Sequence, residues 1–315
     1  MVTQARVDPG LSYQAPAPRR RKGGGVLFLC LLLVAGAAGW IYWHGSVGNI
    51  PVREHCKVGE AGSVDLDPEQ MGNAAIIAEV AVRRGLPARA ATIAIATAIQ
   101  ESKLRNIDYG DRDSLGLFQQ RPSMGWGTPE ELRDPIYATN AFYDVLVKIE
   151  GYRNLEITKA AQKVQRSAYP EAYADHEPEA RVLASSLAGY TPAAVSCVLR
   201  STPATGQQPG KGGLTARSRA LVTAAGAETG RAAAGPVGSA GTTVQWKLTG
   251  KESGRLGWAL AHWAVSRAQA LGVVSVSTDG RRWSRDDPAG GWKVIADQGA
   301  DKQPATGTVL IQVTG

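Results

Sequence analysis

The sequence predicts three structural parts: a single N-terminal membrane-spanning helix, an all-α globular unit and a small α+β C-terminal unit. Three observations carry this. Val26 to Trp43 is an uncharged apolar run. Residues 65–198 show helical periodicity with capping residues at several boundaries. After a Pro/Gly-rich break at 199–213, one long helical pattern alternates with short β-branched runs. The expected order is a basic cytoplasmic tail (1–25), the span (26–43), a polar stalk (44–64), the helical unit (65–198), a linker (199–213) and the α+β unit (214–315).

The span is uncharged over 18 residues, and at about 1.5 Å per residue it reaches about 27 Å, enough for a thin hydrocarbon core. Arg19, Arg20, Arg21 and Lys22 stand just before it, which places the N-terminus in the cytoplasm and everything after Trp43 outside. Trp40, Tyr42 and Trp43 fit an aromatic belt at the outer interface. A cleaved signal peptide is the rival reading, since Ala35-Gly36-Ala37 could serve as a cleavage site. The aromatic residues just beyond it favour retention.

Charge narrows the function classes. The net charge is +7, and the first 22 residues hold five cations against Asp8, so +4 of the total lies in the tail. No basic stripe marks the folded part, which argues against nucleic acid as a partner. Cys30 lies within the apolar run with no small residue before it, so lipidation there is not expected. Cys56 and Cys197 bracket the helical unit on the oxidising side, where a disulfide is favoured over two free thiols. His44, His55, His176 and His262 are scattered, and no metal centre or cofactor is expected.

Each helix has its own signal. Asp67 caps a helix with Pro68 at its first position, ending at Arg84-Gly85. Pro87 opens a second, Ala88 to about Lys103, rich in Ala and Ile. Thr128-Pro129-Glu130-Glu131 is a capping box. Asp134-Pro135 opens a third long helix with Phe142, Val145, Leu146 and Ile149 on one face. Residues 156–167 and 170–188 form two more. In the C-terminal unit, helices are expected over 214–229 and 254–271. Strands are expected near 244–248, 273–277, 281–284 and 309–313.

The stretch ATAIQESKLRNIDYGDRDSLGLFQQRPSMGW, residues 96–126, carries the chemistry. Glu101 follows Ala94, Ile95, Ala98 and Ile99 near the end of an apolar helix. A carboxyl group placed there is partly desolvated, which raises its pKa. Cleavage of a glycosidic bond needs such an acid to protonate the leaving oxygen. Fifteen residues on, Gly116 to Gln120 supply small and amide residues suited to a sugar groove. Asp108, Asp111 and Asp113 lie between, where one could orient a water. The simpler reading is that they solvate and turn a polar loop.

Gln100-Glu101-Ser102 followed by Gly116-Leu117-Phe118-Gln119 resembles the E-S … G-L-[FM]-Q pattern of the soluble lytic transglycosylase and goose-type lysozyme superfamily. The resemblance covers roughly residues 65–190 and continues through Asp134-Pro135, Ala138-Thr139, Val164-Gln165-Arg166-Ser167 and Tyr173-Ala174, as in lysozyme-like domains of actinobacterial wall proteins. It implies a lysozyme-like fold with Glu101 as catalytic acid. It implies that Ser102, Gly116, Leu117, Phe118 and Gln119 support or line the substrate cleft. One departure stands out. Where the family often carries Ala-Tyr-Asn in a late helix, this chain has Ala161-Gln162-Lys163.

Gly257-Trp258-Ala259-Leu260-Ala261-His262-Trp263, Leu271-Gly272-Val273, Asp279-Gly280-Arg281-Arg282-Trp283 and Gly291-Trp292 more faintly resemble a domain related to zinc-dependent wall peptidases. That family holds zinc with His and Asp, and this unit has only His262, within a helix. The expectation is a metal-free, non-catalytic unit. The implied function is cofactor-free cleavage of peptidoglycan glycan strands by a membrane-anchored lytic transglycosylase or muramidase, with peptidoglycan and the lipid bilayer as partners. The alternative is a catalytically inactive peptidoglycan-binding or scaffold protein. An adaptor role for the second unit is compatible with either.

Overall fold

The computed structural model describes residues 53–59, 63–166, 171–287, 290–296 and 304–315, all within one compact unit. The expected cytoplasmic tail, the Val26–Trp43 span and most of the stalk lie outside the described residues, as does Ser167. Among the described residues no helix is long and apolar enough to cross a membrane.

The helical part begins and ends in a sheet. Strands β1 (His55–Val58), β2 (Val64–Leu66) and β3 (Val195–Val198) form an antiparallel sheet in the order β2-β1-β3. Cys56 lies directly opposite Cys197, and the two are joined by a disulfide. The expected fold class is therefore corrected. Among the described residues the structure is mixed α/β with two antiparallel sheets, and the part expected to be all-α carries the three-stranded one. The physical reason is local. Each strand has three or four residues, alternating buried and less buried side chains. Such segments are too short to show a period of their own, and the partner of β1 lies 141 residues away across the disulfide.

Between these strands run the helices. α1 (Pro68–Arg83) starts at a reciprocal cap, with Asp67 and Gln70 each accepting from the other's backbone N–H, and Pro68 at its first position. α2 (Ala88–Ser102) is the central helix, buried from Ala90 to Ala98. α3 (Pro129–Leu132) is one turn closed by the Thr128–Glu131 box, and α4 (Pro135–Leu146) is capped by Asp134. α5 (Ile157–Gln165) and α6 (Glu177–Leu187) close around α2, each shorter than the pattern predicts.

The C-terminal part consists of α7 (Ala216–Thr229), β4 (Gly235–Val237), β5 (Thr243–Lys247), α8 (Ser253–Ser266), α9 (Ala268–Leu271), β6 (Val273–Thr278), β7 (Arg281–Ser284), β8 (Trp292–Val294) and β9 (Thr308–Val313). The six strands form one antiparallel sheet, β4-β5-β9-β6-β7-β8. α8 packs on this sheet and on α1, so one continuous hydrophobic core spans both halves. Trp283 donates its indole N–H to the Cys197 carbonyl at 3.2 Å, and Trp292 donates to Val195 at 2.8 Å. Glu79 of α1, fully buried, pairs with Arg231 at 2.6 Å. Glu228 of α7 accepts from Trp263 at 2.6 Å and from Arg267 at 3.0 Å. A buried carboxylate without such partners would cost several kcal/mol (~3 or more), so these pairs fix how the helices meet.

His262 is fully buried, packed against Trp258 and Trp292, with Nδ1 2.7 Å from the Ser186 carbonyl. Burial lowers its pKa to about 4, so at neutral pH it is an uncharged core residue. No group of His, Cys, Asp and Glu among the described residues is arranged to hold a metal ion.

Candidate active site

Glu101 sits in the last turn of α2. The helix stops because Lys103 and Leu104 both turn left-handed, at φ 55° and 60°. Two α1 side chains accommodate that exit, with Gln70 donating to the Lys103 carbonyl at 2.9 Å and Asn73 to the Leu104 carbonyl at 2.8 Å. This holds the end of α2 firmly, so Glu101 projects from a fixed scaffold while the helix before it is buried. The residue itself is half-buried.

The loop after α2 folds back onto that helix end. Ser102 Oγ donates to the Leu117 carbonyl at 2.8 Å and also lies 3.1 Å from the Ala98 carbonyl. Leu115 and Gln120 exchange backbone hydrogen bonds of 2.9 and 3.0 Å, closing a tight turn over Gly116 to Gln119. Gly116 adopts φ 74°, and a Cβ there would stand 2.2 Å from the Leu132 carbonyl oxygen, so only glycine fits. Leu117 and Phe118 are fully buried, and Phe118 stacks on Phe142 with ring centroids 4.7 Å apart.

The predicted residues thus divide by role. Glu101 and Gln119 reach solvent, whereas Ser102, Gly116, Leu117 and Phe118 are buried and build the turn that supports the site.

Two further residues reach the Glu101 carboxyl. Tyr173 donates its phenolic O–H to Glu101 Oε1 at 2.8 Å. Gln165, the last residue of α5, hydrogen-bonds the Glu101 side chain and also donates to the Phe118 carbonyl at 2.7 Å. Burial holds the Glu101 pKa above the ordinary value of 4.5, against the lowering effect of the Tyr173 and Gln165 hydrogen bonds. The sequence assigned a site role to neither residue. A phenol arrives from the segment before α6, not from the Ala161–Lys163 stretch where the family pattern led one to look.

Asp113, one of the three aspartates of the loop, is engaged by its neighbours. Asp113 accepts from Arg121 Nε at 2.8 Å, from the Ser123 N–H at 2.8 Å and from Ser123 Oγ at 3.0 Å. Those bonds hold its carboxyl far below the usual carboxylate range, too weak a base to take a proton from water. Asp108 and Asp111 are exposed.

A cavity of about 340 Å³ adjoins Gln165, lined also by Gln119, Arg121, Met124, Trp126 and Arg166. Glu101 is a partly desolvated carboxylic acid held by a phenol, and Gln165 links it to a cavity lined by the amides of Gln119 and Gln165.

A search of described protein families finds no match to this chain, and no curated protein matches it. The likeness to soluble lytic transglycosylases therefore rests on the motif residues alone.

Proposed function

We propose that this protein cleaves the β-1,4-linked glycan strands of peptidoglycan, with Glu101 as general acid, and that it does so as a lytic transglycosylase. The observation that carries the reading is the Glu101 carboxyl itself. It is half-buried at the end of a rigid helix, raised in pKa by desolvation and held by Tyr173 at 2.8 Å, and Gln165, which also bonds it, lines an open cavity. A protonated carboxyl in this setting can donate to the glycosidic oxygen as the C1–O bond breaks. The resulting carboxylate can then take the proton of the 6-hydroxyl on the same sugar, which attacks C1 and closes an anhydro ring. One acid serves both steps, and the leaving strand carries away the first proton. The engagement of Asp113 by Arg121 and Ser123 supports this route over hydrolysis through a second carboxylate.

The Cys56–Cys197 disulfide supports placing the reaction outside the cytoplasm, where disulfides persist. The non-catalytic reading, a wall-binding or scaffold protein, draws on the C-terminal part, where the described residues form no metal-ligand group. The test is clearing of a suspension of purified peptidoglycan by the full chain beside Glu101→Gln. Clearing by wild type, slowed about a thousandfold in the variant, is expected if the general acid is removed. Equal clearing by both overturns the assignment of Glu101, and clearing by neither overturns catalysis.

A further inference from the structure

We propose that the cavity lined by Gln165 and Arg166 recognises a carboxylate carried by the glycan, and that Arg166 is the residue that reads it. This rests on the glycan-cleaving reading above and adds a substrate feature to it. The cavity is lined by two guanidinium groups and by no Asp or Glu. The two arginines differ in availability. Arg121 is committed, its Nε to Asp113 at 2.8 Å and its Nη2 to Ser123 at 3.2 Å. Arg166 is exposed and makes no ion pair or side-chain hydrogen bond among the described residues.

The placement of Arg166 follows from its backbone. It ends α5 in the left-handed region at φ 53°, a conformation unfavourable for a residue with a Cβ. That turn directly follows Gln165, which bonds the Glu101 side chain, and Gln165 and Arg166 line the same cavity. In the same cavity, Trp126 is half-buried and Met124 is 55% exposed, giving apolar surface for a sugar face. Apolar surface, the amides of Gln119 and Gln165 and one unpaired guanidinium together match an N-acetylated sugar bearing an acid. Two sources share that chemistry: the ether-linked carboxylate of the sugar itself, or a carboxylate of an attached peptide.

Binding calorimetry on the full chain carrying Glu101→Gln tests this with three probes. They are a chitin oligosaccharide, which has no carboxylate, a peptide-free peptidoglycan strand with its sugar carboxylates free, and a peptide-bearing strand in which those are amidated. Adding Arg166→Gln is expected to lower affinity for a carboxylate-bearing probe about tenfold more than for the chitin oligosaccharide, the size of one charge-assisted hydrogen bond. Arg166→Lys should recover part of the loss. The probe that suffers identifies the source. Equal losses on all three probes, or none, overturn the assignment of Arg166. Selective loss in a chain whose parent cleaves no glycan leaves this inference standing and removes only the catalytic reading. Failure to bind any of the probes overturns both.

Discussion

Replacing Tyr173 by Phe removes one O–H donor from the Glu101 carboxyl and leaves the ring that fills the core in place. Burial raises the Glu101 pKa, and the Tyr173 hydrogen bond is the larger of the two effects opposing it. A hydrogen bond to an ionised group contributes about 1.5–3 kcal/mol, part of which survives when the carboxyl is protonated. With Glu101 only half-buried, the lower end applies. A difference of about 1.4 kcal/mol between the two protonation states is one pKa unit. Tyr173→Phe should therefore raise the Glu101 pKa further, by loss of the hydrogen bond that favours its ionised form. The assay is an NMR titration with carboxyl-labelled glutamate, the Glu101 signal being the one lost in Glu101→Gln. In an active preparation, the alkaline limb of the pH–rate profile should move up with it, because the acid stays protonated to higher pH. An unchanged or lowered pKa would refute the reasoning, since it would mean that the phenol does not favour the ionised form.

The other predictions concern stability. Because the folded state raises the Glu101 pKa, its protonated form is favoured by folding. Relative to the unfolded chain, this contribution is fully present below the ordinary value of 4.5 and is lost as pH rises through the folded pKa. Glu101→Gln should thus raise the melting temperature at neutral pH, with the gain disappearing in acid; a gain confined to acid would contradict the sign. Gly116→Ala should cost about 2 kcal/mol or more in urea unfolding, from the Leu132 carbonyl clash and the left-handed backbone, and a neutral effect would show that the turn is not tightly held. Arg231→Met leaves Glu79 buried without its partner and should destabilise by about 3 kcal/mol, while Glu79→Gln combined with Arg231→Met should recover part of that in the same assay. Replacing Cys56 and Cys197 by Ser opens a loop with a separation of 141 residues, which a chain-entropy treatment converts to at most about 5 kcal/mol lost in denaturant unfolding.

Legibility in the sequence followed the strength of the local signal. Capped, Ala-rich or amphipathic segments announced themselves. Asp67-Pro68, the Thr128–Glu131 box and Asp134-Pro135 all open helices where the capping chemistry places them. The strands β1 to β3 did not, because three or four residues carry no usable period and β1 pairs not only with nearby β2 but with β3, far along the chain. The site shows the same division. Glu101 and the Gly116–Gln119 turn stood out as a local pattern, whereas Tyr173 and Gln165 reach Glu101 only through the packing of α5 and the approach to α6 around α2. The motif also suggested that Leu117 and Phe118 would line the cleft. An apolar pair within a polar loop reads as well for a buried anchor, and Phe118 against Phe142 is that anchor.

The most direct test of the central claim is mass spectrometry of the soluble products released from peptidoglycan by the full chain and by Glu101→Gln. The account predicts fragments ending in anhydro-muramyl sugars from the wild type and none from the variant. No soluble product from the wild type, with binding to the wall material retained, would contradict it and leave a wall-binding protein without glycan-cleaving activity.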